Sequence, residues 1–236
     1  MEDLMKISTY NEYSIYCISL VRCNCYLLKS KDRSILIDTG VKRERKKIVS
    51  FLKKHHVHQL DCIILTHSHS DHAQNAAYFQ NYYRCPIYAH RLAIYPLLGG
   101  YCSVPKGAKL YSKLVERLAR VSKSWNQFPP CFDVRDIQTL PWRDYFRIQN
   151  PVFNTPGHSA DSITLVFDDI AIVGDSMTNV IGNNVLPPFV DNKKQLMYSW
   201  YSLLLLDIQT FYPAHGTEIS LEKARYSYFH YYKAIY

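Results

Sequence analysis

The sequence predicts an α/β protein. Three observations lead there. Strands and helices alternate through the first half, short apolar runs stop abruptly at polar loops, and the second half returns to strands around one amphipathic helix. With 236 residues, 47% of them hydrophobic and 20% charged, the chain can bury a sizeable core, so one domain over residues 1–236 is expected and disorder is not.

The N-terminal third opens with β-rich runs at Tyr13 to Val21, Cys25 to Lys29 and Ser34 to Asp38, the last two joined by a turn at Lys31-Asp32. Gly40 ends that strand. A helix from about Lys42 to His56 should turn Ile48, Phe51 and Leu52 inward. Leu60 to Leu65 is a continuous apolar run with one acid, Asp61, and reads as a buried strand, running straight into Thr66-His67-Ser68-His69-Ser70-Asp71-His72. A helix over Ala73 to Tyr83 and a strand over Pro86 to Ala89 follow. Residues 92–131 break the rhythm, with Gly99-Gly100, a helix from Ala108 to Ser122 and a Pro129-Pro130 stop. They read as a helical insertion, serving as a lid over the site, or as extra packing or a dimer surface. Strands are then expected at Phe146 to Ile148, Val152 to Asn154, Ser162 to Phe167 and Ile170 to Val173. A helix over Lys193 to Leu206, inward at Leu196, Trp200, Leu203 and Leu204, precedes a strand at Thr210 to Tyr212. Ser220 should cap a C-terminal helix whose Tyr and Phe residues read as core packing.

No stretch reaches the roughly 18 apolar residues of a membrane span, so no membrane partner is expected. The polar opening MEDLMKISTYNEY has no apolar signal region, and seven irregularly spaced cysteines read as reduced thiols, so the expected compartment is the cytoplasm. The net charge of +8 favours anionic small-molecule substrates. Much of it lies in Lys42-Arg43-Glu44-Arg45-Lys46-Lys47, which reads as a solvated helix face. A nucleic-acid track would need more such clusters.

The chemistry concentrates in His67-x-His69-x-Asp71-His72. Three imidazoles and a carboxylate follow a buried strand within six residues, and these are ligands for zinc or a similar divalent ion. A rigid strand end fixes the backbone while small Ser68 and Ser70 let the loop turn. Three later segments repeat the plan of a strand followed by a Gly-bearing turn and a ligand: Thr155-Pro156-Gly157-His158, Val173-Gly174-Asp175 and Pro213-Ala214-His215-Gly216. His55, His56 and His58 read as surface histidines. Cys62 and Cys85 read as buried thiols.

In this order the motifs resemble those of the metallo-β-lactamase superfamily over almost the whole chain. The resemblance implies a four-layer αββα sandwich with a dinuclear site. It gives one metal to His67, His69 and His158 and a second to Asp71, His72 and His215, with Asp175 bridging. Asp38, in Leu36-Ile37-Asp38-Thr39-Gly40, would hold a ligand in place without touching metal. The implied cofactors are two divalent ions, zinc first, with iron or manganese as alternatives. The implied reaction is hydrolysis by a metal-activated hydroxide that Asp71 helps to orient. Glyoxalase II-like and lactonase-like branches suggest a small ester, thioester or lactone. The alternatives are a phosphodiesterase or nuclease of the same fold, or a low-turnover metal-binding regulatory protein. Tyr95, Tyr101, Trp125 and the loop Asn179 to Phe189 are candidate pocket residues.

Overall fold

The structure is a computed structural model and describes residues 6–9, 13–121, 126–180, 182 and 184–233. It opens with strands β1 (Lys6–Thr9), β2 (Tyr13–Ile18), β3 (Cys25–Ser30) and β4 (Ser34–Ile37). A 3₁₀ turn leads into helix α1 (Arg45–Lys54), then β5 (Cys62–Ile64), α2 (Ser70–Ala73), α3 (Ala76–Tyr83) and β6 (Ile87–Ala89). Next come α4 (Ile94–Gly99), α5 (Leu110–Val121), β7 (Val134–Asp136), α6 (Trp142–Phe146) and β8 (Val152–Asn154). The chain continues through β9 (Ile163–Phe167), β10 (Ile170–Gly174), α7 (Lys193–Leu204), β11 (Thr210–Pro213), β12 (Ile219–Ser220) and α8 (Leu221–Tyr232). It divides into two compact units, Met1–Cys102 with Gln127–Asn150, and Ser103–Asn126 with Pro151–Tyr236. Each combines one sheet with helices, the mixed α/β class that the sequence predicts.

The first unit holds a seven-stranded sheet in the order β1-β2-β3-β4-β5-β6-β7. Its first four strands form an antiparallel meander, while β4 to β7 run parallel, as expected where helical crossovers intervene. The two sections differ in burial. Strand β2 alternates, burying Tyr13, Ile15 and Ile18, whereas every residue of β4 and β5 is buried, as in a strand covered on both faces. Helix α1 presents Ile48, Phe51 and Leu52 to a core shared with Leu27, Leu36, Ile63 and Phe79. Because β4 and β5 are parallel neighbours, their C-terminal ends lie at one edge, and that edge carries Asp38 and the histidine-rich loop.

The second unit holds a five-stranded sheet in the order β12-β11-β10-β9-β8. Strand β9 is antiparallel to both β8 and β10, and β10 is parallel to β11, so β8, β10 and β11 all run the same way. Their C-terminal ends therefore share one edge, and the chain leaves them at Thr155-Pro156-Gly157-His158, Asp175 and Ala214-His215. Helix α7 packs Leu196, Trp200 and Leu203 against Ala171, Val173 and Phe211. The Trp200 indole donates to the Ser176 carbonyl at 2.6 Å, which fixes the chain just past Asp175.

Several expectations change. Phe146 to Ile148 is not a strand: Pro141 starts the short helix α6, Arg147 ends it at φ +56°, and Phe146 packs edge-on against Tyr13. A short apolar run does not by periodicity separate strand from helix. The segment 92–131 is shared between the units. Its ends hold to the first unit through Phe128 N–H to Gly100 and Cys131 N–H to Leu97. Its middle holds to the second through Ala108 N–H to Pro188 and Val190 N–H to Lys106. The aromatic residues of α8 are not uniformly core, since Tyr228 is buried while Tyr226, Phe229 and Tyr232 are exposed. His55 is no bare surface residue, because it stacks on Phe51 at 4.3 Å and is half-buried. None of the seven cysteines is joined in a disulfide. Among the described residues no helix is long and apolar enough to cross a membrane.

Candidate metal centre

In the first unit, the polar loop after β5 folds back into the single turn of α2, which gathers three rings. His67, His69 and His72 are buried. The His67 Nε2 lies 2.9 Å from His69 Nδ1, and the His67 and His72 ring centroids are 4.0 Å apart. Asp71 sits beside them, half-buried, in the first turn of α2. Packing three imidazoles this tightly gives up hydration at several ring nitrogens, and a shared cation is the usual compensation for such a cluster.

Asp38 organises this loop. It takes up a left-handed conformation (φ +59°) where β4 ends, and its backbone N–H donates to Ile64 O at 2.8 Å. Its carboxylate accepts from the Thr66 N–H at 2.9 Å and the Thr66 hydroxyl at 2.8 Å, and its Oδ2 lies 2.9 Å from His72 Nδ1. The ring of His72 is therefore held through Nδ1 and offers Nε2 to an ion, as in a carboxylate–histidine–metal arrangement. Thr39 N–H and Oγ1 both donate to the His72 carbonyl, at 2.9 and 2.6 Å, tying the end of β4 to the histidine turn. Cys23 Sγ lies 3.6 Å from the same His72 Nδ1. Cys23, Asp38 and His72 thus form a donor cluster of their own. We read it as support for His72, because Asp38 already engages that nitrogen at 2.9 Å, and burial pushes the Cys23 thiol well above its ordinary pKa.

Asp38→Asn should therefore keep the fold but misorient His72. A 10–100-fold fall in metal affinity is expected, roughly the range for such supporting groups. Competition with a chromophoric chelator measures it, and wild-type affinity in the variant would remove Asp38 from this role.

In the second unit, Asp175 stands between two histidines. His158 Nε2 is 3.5 Å from Asp175 Oδ2, and His215 Nε2 is 3.3 Å from Asp175 Oδ1. Ligands roughly 2.0–2.1 Å from one tetrahedral ion lie about 3.3 Å from each other, so both spacings suit shared coordination. Each carboxylate oxygen faces a different imidazole. His158 Nδ1 lies 2.9 Å from Phe189 O, so it carries the proton and donates, leaving Nε2 as the ligand atom. The turn before His158 is anchored by the Ser199 hydroxyl on Pro156 O at 2.7 Å and by Asn192 N–H on Gly157 O at 2.9 Å.

Each unit thus gathers its own share of the seven residues singled out in the sequence: His67, His69, Asp71 and His72 in one, His158, Asp175 and His215 in the other. The donor set of imidazoles and carboxylates fits a divalent ion of the zinc type. Sequence reasoning missed Thr66 and the Phe189 carbonyl. Thr66 alone had a signal, as a hydroxyl residue next to the first ligand. The candidate pocket residues fare differently: Tyr95 and Tyr101 are exposed, Trp125 lies outside the described residues, and Phe189 serves through its backbone.

Comparison with known proteins agrees with this reading. The profile of the Metallo-beta-lactamase superfamily matches residues 18–124. A "Probable metallo-hydrolase" of Methanocaldococcus jannaschii is 24% identical over 165 residues, 65% of this chain and 66% of that protein. Among solved structures, an archaeal metallo-beta-lactamase superfamily protein from Sulfolobus tokodaii superposes with a TM-score of 0.64 at 20% identity, covering 92% of this chain and 85% of that one. A metallo-beta-lactamase family protein from Thermus thermophilus does so at 0.66 and 17% identity, covering 93% and 79%. The profile match, the archaeal relative and the shared fold thus make this chain similar to the metallo-beta-lactamase superfamily, and the superpositions show that it has the metallo-beta-lactamase fold.

Proposed function

We propose that the protein is a metal-dependent hydrolase in which His67, His69, Asp71, His72, His158, Asp175 and His215 together hold two divalent ions, zinc first, within one domain. The observation that carries this reading is Asp175, whose two oxygens are each set beside a different imidazole. When bound, such ions supply Lewis acidity at the scissile centre and acidify the attacking water. The chain's own residues do the rest. Asp38 and Thr66 fix His72, the Phe189 carbonyl fixes the tautomer of His158, and Asp71, only half-buried, is placed to orient the attacking water through its carboxylate. Covalent catalysis by a thiol is disfavoured, because burial pushes Cys23 and Cys62 well up and Cys85 and Cys131 up to about 12.

The substrate class we favour is a small ester, thioester or lactone, anionic in keeping with the net charge of +8. Seven reduced thiols are consistent with a cytoplasmic setting. One observation favours the phosphodiesterase alternative: α1 exposes Lys46, Lys47, Lys53 and Lys54, a basic face suited to phosphate. An assay of the purified protein against generic thioesters, lactones and phosphodiesters, with and without chelator, tests these readings. Thioester or lactone turnover that chelation removes and zinc restores is the expected result. Turnover of phosphodiesters alone would transfer the assignment, and none after loading with zinc, iron or manganese would sink the hydrolase reading.

A further inference from the structure

Helix α5 is built inside out. A surface helix of a globular protein normally turns its apolar stripe to the core. Here the buried residues are Ser112 and Ala119, with Val115 and Glu116 half-buried beside them. The opposite side carries Leu110 at 88%, Leu114 at 61% and Leu118 at 63% exposure, spaced four apart in one line, with Tyr111 at 48% alongside. Single exposed leucines need no explanation, but a continuous stripe does.

The helix is also firmly seated. Gly107 pairs with Phe189, Ala108 N–H donates to Pro188 O at 2.8 Å, and Gly107 N–H donates to Glu116 Oε2 at 2.8 Å. The Ser112 hydroxyl closes the first turn on Lys109 O at 2.8 Å. These bonds fix which side faces outward.

Charge identifies the occupant of the stripe. Between positions 106 and 118 the cations are Lys106, Lys109, Lys113 and Arg117, and the one acid, Glu116, is turned to the Gly107 amide. Lys113 and Arg117 are exposed and follow Leu110 and Leu114 by three positions each, so they run along one edge of the stripe. An exposed leucine line edged by cations matches the layered polarity of an anionic bilayer surface, apolar below the headgroups and negative at them. In an antiparallel pair of copies the same edge of both helices would meet, setting these cations against one another.

We propose that α5 is a peripheral membrane-docking helix, lying on anionic bilayer surfaces with Leu110, Leu114 and Leu118 inserted and Lys113 and Arg117 at headgroup level. The sequence expectation of no membrane partner came from the lack of a spanning stretch, and a helix lying in the interface needs no such length. The proposal stands independently of the hydrolase reading.

Co-sedimentation of the full chain with phosphatidylcholine vesicles, with and without about one third phosphatidylglycerol, tests it. Binding to the anionic vesicles only, weakened by salt, is expected. Lys113→Gln and Arg117→Gln should each weaken it about five-fold. The pair Leu114→Ser with Leu118→Ser should lose it at least ~10-fold, with unchanged circular dichroism and hydrolase activity. Wild-type protein that stays in solution with anionic vesicles would overturn the proposal, as would a serine pair that sediments like wild type. So would a lipid-free dimer in sedimentation velocity that the serine pair abolishes, which would give the stripe to a second copy.

Discussion

Asp175→Ala is expected to lower turnover by ~10³-fold or more, since removing the metals' charge stabilisation costs several kcal/mol of transition-state free energy. The reason is local. Oδ1 and Oδ2 of Asp175 stand 3.3 and 3.5 Å from His215 and His158, so in the proposed two-metal site one side chain would serve two ligand sets. Removing it should take bound metal below two ions per chain, which elemental analysis of the purified variant measures. Trp200 still holds the Ser176 carbonyl, so the chain past β10 should keep its place and the variant should melt near the wild-type temperature. His69→Ala should also abolish turnover, through the other cluster. Two metals per chain and full activity in the Asp175 variant would remove it as the bridge.

Gly157→Ala should cost stability as well as activity. Gly157 sits at φ +140°, a conformation that L side chains rarely adopt, and an added Cβ would lie 2.4 Å from both the backbone nitrogen and the Cα of Leu196. The neighbour is the N-terminal half of α7, anchored by Trp200 and Leu196 in the core, so it does not yield as a flexible side chain would. Backbone strain and overpacking each cost roughly 1–3 kcal/mol, so a loss of about 3 kcal/mol is expected in urea denaturation. Any relief would push the turn outward and carry His158 away from Asp175. A variant as stable as wild type would mean that the turn does not pack on α7 in this way.

Much of the fold was legible because the side-chain pattern repeats the backbone period. The alternation in β2, the apolar runs of β4 and β5 and the inward spacing of α1 and α7 each declare their element, and Ser220 caps α8 through Lys223 N–H as its position foretold. The elements that misled were short or amphiphilic. Phe146 to Ile148 has too few residues to show a period, and tyrosine-rich α8 satisfies core and surface equally well.

The candidate site divides along the same line. The sequence by itself determined the chemistry: which imidazoles and carboxylates exist, and that each follows a strand, because ligand type and strand-end position are local properties. Only the tertiary structure decided the roles. Strand order and direction bring the ends of β8, β10 and β11 to one edge, and the turn of α2 sets His72 on Asp38. Packing left the leucines of α5 outside while burying Ser112 and Ala119. Distances between residues far apart in the chain come from sheet pairing and close packing, long-range interactions that no window of sequence contains.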